Sequence, residues 1–391
     1  MHICYVLGTF PTTSETFVSD EIATCIKAGH KVTIVRIYQG NTANHANVEW
    51  VQNNVDIIDI KEPQNTITTL KTLAGACIES TSLRPLLTAL THHPRWAMTA
   101  MLPTFRQLQR KKFDHIHAHF ADKQVLFAHA LSRLMRVPFS FTMHGYDIRD
   151  LPIGKHNLSN ALDAAKCAFT VSKANIAALK KTGVKTDKFS TIPCGIDPSN
   201  FSVCANPYTG GRINITCIAR LHPIKNHKTL LQALAMISDD VDFQLKLIGD
   251  GELRDELTSL VSENTSLNQK VIFLGSLNNE QVMAELRNAH MHILPSLNEG
   301  MPVANTEAMA TGLVCIASNV GGLPEAIRHK QNGFLFNPKD PAQLRDIISD
   351  IYFKRVNTEN IAETARSDAL NNFDRDRLVM HKLSIMRETT H

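Results

Sequence analysis

The chain has 391 residues, a formal charge of +4 and 43% hydrophobic residues, room for about two or three domains with sizeable cores. So slight a charge argues against nucleic acid as a partner. The cysteines at positions 4, 25, 77, 167, 194, 204, 217 and 315 include no C-x-x-C pair, so they read as reduced residues of a cytoplasmic protein rather than as a metal site or a disulfide frame.

The string Met1-His2-Ile3-Cys4-Tyr5-Val6-Leu7-Gly8 lacks the basic flank of a signal peptide. No uncharged apolar run is long enough to cross a bilayer, so any membrane contact is expected to be peripheral. Residues 2–8 read as a buried first strand. The loop 9–17 follows, then a helix to Gly29 that Ser14 is placed to cap. Further strands are expected at 31–37 and 55–60. From about 64 to 112 the pattern is helical and irregular. Its later part carries Arg84, Arg95, Arg106, Arg110, Lys111 and Lys112 with no acidic residue, interleaved with Leu86, Leu87, Trp96, Met98, Met101, Leu102 and Phe105. That composition suits an anionic membrane surface and an ordinary surface helix equally well.

In Phe113-Asp114-His115-Ile116-His117-Ala118-His119-Phe120 the alternation predicts a strand with three histidines on one face. Histidines at spacing two invite a metal, but no carboxylate motif stands beside them, and no metal is expected. A strand at 138–143 leads to His144-Gly145-Tyr146-Asp147. A helix from about 158 leads to a strand at 168–172, and Ser172-Lys173 opens a helix to about 181. The last strand of this half is expected at 188–193. Residues 198–211, with Pro198, Pro207, Gly210 and Gly211, have linker composition. The expected domains are therefore 1–197 and 212–372. Strands at 213–219, 243–248, 270–274, 291–294, 313–317 and 333–336 alternate with helices in the second half. Such alternation predicts two doubly wound α/β domains, with ligands at the carboxyl ends of the strands.

Those ends hold the chemistry-bearing residues. Arg220 and Lys225 follow the first strand of the second half, placed either to grip a diphosphate or to stand as a solvated pair. Gly249 and Gly251 flank Asp250, in a close backbone approach or a plain turn. Leu274 ends the next strand. The stretch Leu294 to Gly312, LPSLNEGMPVANTEAMATG, reads as a strand end, a polar loop and a helix with Pro302 as its first residue and Gly312 as its stop. The amides of Gly300, Met301 and Val303 at its start would then face a phosphate or sugar oxygens. Glu299 and Glu307 are placed to accept from sugar or ribose hydroxyls, or to serve only as a dipole partner and a solvated helix residue.

The string from Glu299 to Glu307, EGMPVANTE, resembles the E-x7-E element of the retaining glycosyltransferases of family 4, the two-domain GT-B enzymes, with Asn305 where an aliphatic residue is common. The same resemblance extends to Arg220/Lys225, Gly249-Asp250-Gly251 and Gly321-Gly322, in order and at family spacing. The loop FPTTSETF is similar to the opening of a subgroup that builds bacterial surface polysaccharides. The resemblance implies two Rossmann-like domains facing across a cleft, with a helix at about 373–391 packing back onto the first. It implies that Glu299, Arg220, Lys225 and His119 are catalytic, His117 lying behind His119. Glu307, Gly300, Met301, Pro302, Val303, Gly249, Gly251 and Leu274 would hold a UDP- or GDP-linked sugar. Glu15, Thr16, His144 and Ser172 would border the acceptor, a glycan or lipid-linked glycan. The implied activity is transfer with retention in cell-surface polysaccharide biosynthesis, such as that of lipopolysaccharide, in the cytoplasm or peripherally at the inner membrane face. No cofactor and no metal are expected, since cations and helix-end amides neutralise the leaving group. Rival readings are a GT-B epimerase or phosphorylase and a noncatalytic sugar-nucleotide-binding protein. A dinucleotide-binding oxidoreductase is disfavoured, because the first loop carries no G-x-G-x-x-G.

Overall fold

A computed structural model describes residues 1–12, 15–40, 46–60, 103–201 and 208–388. The expected cap Ser14, most of the basic segment including Arg84 and Arg95, and Cys77 and Cys204 lie outside the described residues. Contacts divide the chain into two units, Met1–Pro193 with Asp376–His391, and Cys194–Arg375. The boundary falls after Pro193 rather than after Asp197, because Ile196 bridges to Asp374 and Arg375 pairs with Asp197 at 2.9 Å. Part of the expected linker is also structured, as a 3-10 turn at Pro198–Phe201 whose Phe201 is buried.

The first unit is built on a seven-stranded sheet: β1 (His2–Phe10), β2 (Lys31–Gln39), β3 (Asp56–Asp59), β4 (His115–His119), β5 (Phe139–Met143), β6 (Cys167–Thr170) and β7 (Phe189–Thr191). Its order is β3-β2-β1-β4-β5-β6-β7, and the pairings are parallel. A parallel sheet must be covered on both faces, which is why its strands read as continuous apolar runs. One face packs Val125, Phe127, Leu131, Phe139, Phe141 and Leu158. The other packs Tyr5, Ile22, Cys25 and Phe169 against Val379, Leu383 and Met386 of the C-terminal helix Arg375–Arg387. Burying Leu383 fully there contributes about 1.5–3 kcal/mol, so the chain's last helix is held by the first unit's core.

The second unit carries β8 (Ile213–Ile218), β9 (Phe243–Ile248), β10 (Val271–Gly275), β11 (Met291–Leu294), β12 (Val314–Ser318) and β13 (Phe334–Phe336) in the order β10-β9-β8-β11-β12-β13. Leu230, Leu234, Phe243, Leu247, Leu344 and Ile348 form its core. In both units the strand order reverses beside the first strand, between β1 and β4 and between β8 and β11. This topological switch point opens a crevice at the carboxyl ends of those strands. Among the described residues no helix is long and apolar enough to cross a membrane. Helix starts were the least legible features: the helix expected from about 158 begins at Gly154, and Glu15 holds the cap position of the first helix with no side-chain capping bond.

Three core histidines carry a pH signature. Burial pulls His115 down to about 3 and both His227 and His292 down to about 4, from an ordinary value of 6.5. Their folded values lie below the unfolded one, so folding favours the neutral rings. Stability is complete above 6.5 and is lost as the pH falls toward 3. Each such ring costs about 1.4 kcal/mol per pH unit in that window. The thermal midpoint should therefore drop steeply between about pH 6.5 and about pH 5, and a flat midpoint over that range would contradict the assignment.

Candidate active site

At the second unit's switch point, β8 is followed two residues on by Arg220, and β11 runs into the loop that carries Glu299. Arg220 is exposed, and its guanidinium makes no hydrogen bond or ion pair among the described residues. Lys225 closes the 3-10 turn Pro223–Lys225. Its Nζ lies 2.5 Å from Oε1 of Glu299, which also accepts from Ser296 Oγ at 2.6 Å. Both partners are largely buried, with 18% and 9% of their side chains exposed. A largely buried pair of this kind gives up its hydration, a loss offset only while each charge keeps its partner.

The backbone explains why Glu299 stands there. Leu297 N–H donates to Ile224 O at 2.8 Å, and Asn226 Nδ2 donates to Pro295 O at 3.1 Å, tying the β11 loop to the β8 loop. From the other side Gly322 N–H donates to Glu299 O at 3.1 Å. Gly321, at φ 54°, approaches so closely that a Cβ would lie 1.9 Å from that same oxygen. Gly249, at φ 130°, approaches Ala219 O in the same way, where a Cβ would lie at 2.2 Å. These two glycines are needed for contact, and the turn reading of Gly249-Asp250-Gly251 is thereby replaced by close approach to the β8 loop. Leu274 is half-buried on β10 beside it, where Gly249 N–H donates to Gly275 O at 2.8 Å.

The helix after this loop runs Val303–Thr311, with Pro302 as its cap residue at ψ 123° rather than its first helical residue. A proline at that point leaves no amide to satisfy. Gly312 ends the helix at φ 84°, as expected. The N–H groups of Gly300, Met301, Val303 and Ala304 make no hydrogen bond among the described residues; the first that bonds back is Asn305, to Pro302 O at 3.2 Å. Asn305 itself is buried, with Nδ2 on Met309 Sδ at 3.5 Å. Glu307 is half-buried one face further along. Arg220, the Lys225–Glu299 pair and a row of unpartnered amides thus all lie on the segments that follow β8 and β11, the strands on either side of the switch point. That set can neutralise a diphosphate and hold sugar hydroxyls.

The first unit's switch point gathers the histidines. His119 ends β4 and is 1% exposed. With Thr9, Phe10, Glu15, Val18 and Phe120 it lines a small cavity at the end of β1. Phe120 takes a left-handed backbone at φ 66°, a strain of about 1–3 kcal/mol in a bulky residue. This turn carries its ring to 4.4 Å from His144 and 5.5 Å from Tyr146. His117 lies behind, its two nitrogens on Ser140 Oγ at 2.8 Å and Thr142 Oγ1 at 3.0 Å. His144 is half-buried, and its Nε2 meets Nδ1 of His119 at 3.0 Å. Asp147 holds the ends of β4 and β5 together by accepting from the N–H groups of Ala121, His144 and Gly145 at 2.8–3.0 Å. Thr16 starts the helix Thr16–Lys27 beside Glu15. Ser172 is not brought to the crevice: it is fully buried, and its Oγ accepts the Asn175 N–H at 3.2 Å as a helix cap.

Contrary to the expectation from sequence, a carboxylate does accompany the histidines. Glu21, on the helix Thr16–Lys27, places Oε1 3.4 Å from Nε2 of His119, and its ligand atoms lie within 4.8 Å of those of His117 and His119. However, Lys382 of the C-terminal helix holds both oxygens of Glu21, at 2.7 and 2.8 Å. An ammonium in that place and a fully bonded His117 fit a divalent cation poorly. Burial pushes the Glu21 carboxyl up, but Lys382 and His119 outweigh it and hold it well below the usual carboxylate range. Burial pulls His119 and His144 below their ordinary value, so both are neutral near neutral pH.

Comparison with known proteins agrees with the two doubly wound units. Residues 206–368 match the family model "Glycosyl transferases group 1", and residues 14–200 match "Glycosyltransferase Family 4". An Escherichia coli UDP-Gal:alpha-D-GlcNAc-diphosphoundecaprenol alpha-1,3-galactosyltransferase is 28% identical over 62% of this chain and 67% of its own length. The amylovoran biosynthesis glycosyltransferase AmsK of Erwinia amylovora is 25% identical over 89% of this chain and 90% of its own. Among solved structures, Anabaena HepE in complex with UDP superposes with a TM-score of 0.76 at 18% identity, over 98% of this chain and 99% of that one.

Replacement of Gly321 by Ala tests the packing of the Glu299 loop. The added Cβ meets backbone, which cannot yield cheaply, so the variant should lose about 1–3 kcal/mol of stability together with nucleotide-sugar binding. A variant as stable as the parent would show that the loop is not held from this side. With a glycosyltransferase model matched to each unit, and the doubly wound sheets of the GT-B fold in both, the chain belongs to the family-4 glycosyltransferases.

Proposed function

We propose that this glycosyltransferase moves a sugar, with retention of anomeric configuration, from a UDP-linked donor to a lipid-linked glycan in cell-surface polysaccharide synthesis. What supports the donor side is the ion pair that ties Lys225, after β8, to Glu299, after β11, with exposed Arg220 and the unpartnered amides of Val303 and Ala304 on the same two segments. The preference for UDP rests on the galactosyltransferase relative, whose name specifies a UDP donor, and on the UDP held by HepE.

In this reading Arg220 grips the diphosphate through two parallel bonds. Lys225 turns from Glu299 to a phosphate oxygen, and the helix start adds its amides. The freed Glu299 accepts from donor-sugar hydroxyls, with Ser296 keeping it in place, and Glu307 accepts from the ribose. Negative charge that develops on the leaving phosphate is stabilised by groups already in position, so the reaction needs no metal. Glu299 arrives already paired with Lys225 and bonded to Ser296, which fits it to hold a substrate rather than to attack an anomeric carbon. Attack from the same face as the departing phosphate is the route that remains. His119 and His144, in the first unit, position a substrate hydroxyl.

Isothermal titration with UDP-glucose in excess EDTA tests the donor site. The parent chain should bind, and Arg220→Ala should weaken binding by about 1.5–3 kcal/mol, the worth of hydrogen bonds to a charged group. Equal affinity in the variant, or binding only when Mg²⁺ is added, would contradict the clamp.

The lipid-linked acceptor is supported by the diphosphoundecaprenol in the relative's name and by the basic segment that ends at Lys112. Within its described part, Lys111 is paired with Asp56 at 2.6 Å and Leu108 is buried, which leaves Arg110 and Lys112 for an anionic surface. Co-sedimentation with phosphatidylglycerol vesicles should be seen at low salt and be reduced by Arg110→Glu with Lys112→Glu. A parent chain that stays in the supernatant would point to a soluble acceptor.

A further inference from the structure

The two imidazoles at the first unit's switch point share one hydrogen bond, and two arrangements of protons can make it. In the first, Nε2–H of His144 donates to a bare Nδ1 of His119, whose own proton sits on Nε2. In the second, Nδ1–H of His119 donates to His144, and the proton of His144 lies on Nδ1. The arrangements differ in what they offer a substrate. The first leaves Nδ1 of His144 as an acceptor; the second makes it a donor. That nitrogen makes no hydrogen bond among the described residues.

The surroundings of His119 discriminate between them. Its Nε2 is buried and makes no hydrogen bond, and it faces Oε1 of Glu21 at 3.4 Å. A carboxylate oxygen repels a bare imidazole lone pair and attracts an N–H. Glu21 is kept anionic by Lys382 on both oxygens and by Tyr5, whose hydroxyl donates to Oε1 at 3.0 Å. Tyr5 also stacks on His119 with ring centroids 5.9 Å apart and an interplanar angle of 12°, which fixes the ring plane, while turning the ring over would forfeit both the Nδ1 contact with His144 and the Nε2 approach to Glu21. His117, at 5.0 Å edge to face, is spent on Ser140 and Thr142 and offers His119 neither a donor nor an acceptor. Glu21, Lys382, Tyr5, His117 and His144 complete the polar surroundings of His119 given by these contacts.

We propose that Glu21 and Lys382 are positioning residues that select the first arrangement, so that His144 faces the substrates with a bare Nδ1 ready to accept a hydroxyl proton in a hydrogen bond. His119 is then the intermediary between a fixed charge and His144 rather than the ring that meets the substrate. The C-terminal helix gains a chemical role as the source of the ammonium. This deepens the reading of His119 and His144 given above and rests on it only for the hydroxyl.

Selective ¹⁵N-histidine labelling of the full chain tests the selection, with signals assigned by comparison with His144→Gln and His119→Gln. In the parent at neutral pH, both rings should carry their proton on Nε2. In Glu21→Gln the amide NH₂ can donate to Nε2 of His119, so both protons should move to Nδ1. Lys382→Met should do the same, because a buried carboxyl without its cation takes up a proton and donates it. Lys382→Arg should restore the parent pattern, which a merely structural role for the lysine does not predict. A parent His144 protonated on Nδ1, or a pattern unchanged in Glu21→Gln, would overturn the proposal. The tautomer is read without any ligand, so a wrong role for His119 and His144 in transfer would appear instead as undiminished turnover in His144→Gln and leave this test intact.

Discussion

The ion pair between Lys225 and Glu299 is the constraint on which the second unit's crevice depends. It joins the loop after β8 to the loop after β11, the two segments that flank the switch point, and it does so with both groups largely withdrawn from water. Withdrawal makes the pair sensitive to a change of partner, because each group needs an opposite charge or donors in place of its lost hydration. A diphosphate can take the lysine only if sugar hydroxyls can take the glutamate. In the proposed donor complex, phosphate and sugar would thereby be recognised together, while Gly321 and Gly322 pack against the backbone oxygen of Glu299 and hold its loop in place.

The first unit solves a similar problem with histidine. Three imidazoles on β4 would be a liability if charged in a parallel sheet that is buried on both faces, and burial keeps His115, His117 and His119 neutral. A neutral imidazole still has a direction, set by which nitrogen carries the proton. Serine and threonine hydroxyls on β5 occupy His115 and His117, while a charge supplied by the C-terminal helix lies beside His119. The same helix fills the hydrophobic face of that sheet through Leu383 and Met386, so one element both completes the core and supplies the ammonium.

What was legible in the sequence was what is local. The switch-point loop of the second unit reads from Leu294 to Gly312 because strand end, proline, helix and stopping glycine follow one another within a few turns of chain. Alternating strands and helices sufficed for two doubly wound sheets for the same reason. Lys382 was invisible: it meets Glu21 across 361 positions, and neither residue departs from an ordinary helix pattern. The pairing of Lys225 with Glu299, 74 positions apart, was hidden by a motif in which each residue has a separate expected partner. Ser172 misled because a helix-capping serine and a substrate-facing serine follow a strand in the same way, and only burial tells them apart.

The most direct test of the account is a crystal structure of the chain with UDP-glucose bound. The diphosphate should lie within hydrogen-bond reach of Arg220, Lys225 and the amides of Val303 and Ala304, with the Lys225–Glu299 pair opened and Glu299 turned to the glucose hydroxyls. A diphosphate bound away from this crevice, or bound in it with the 2.5 Å pair still closed, would contradict the exchange of partners on which the donor site is argued.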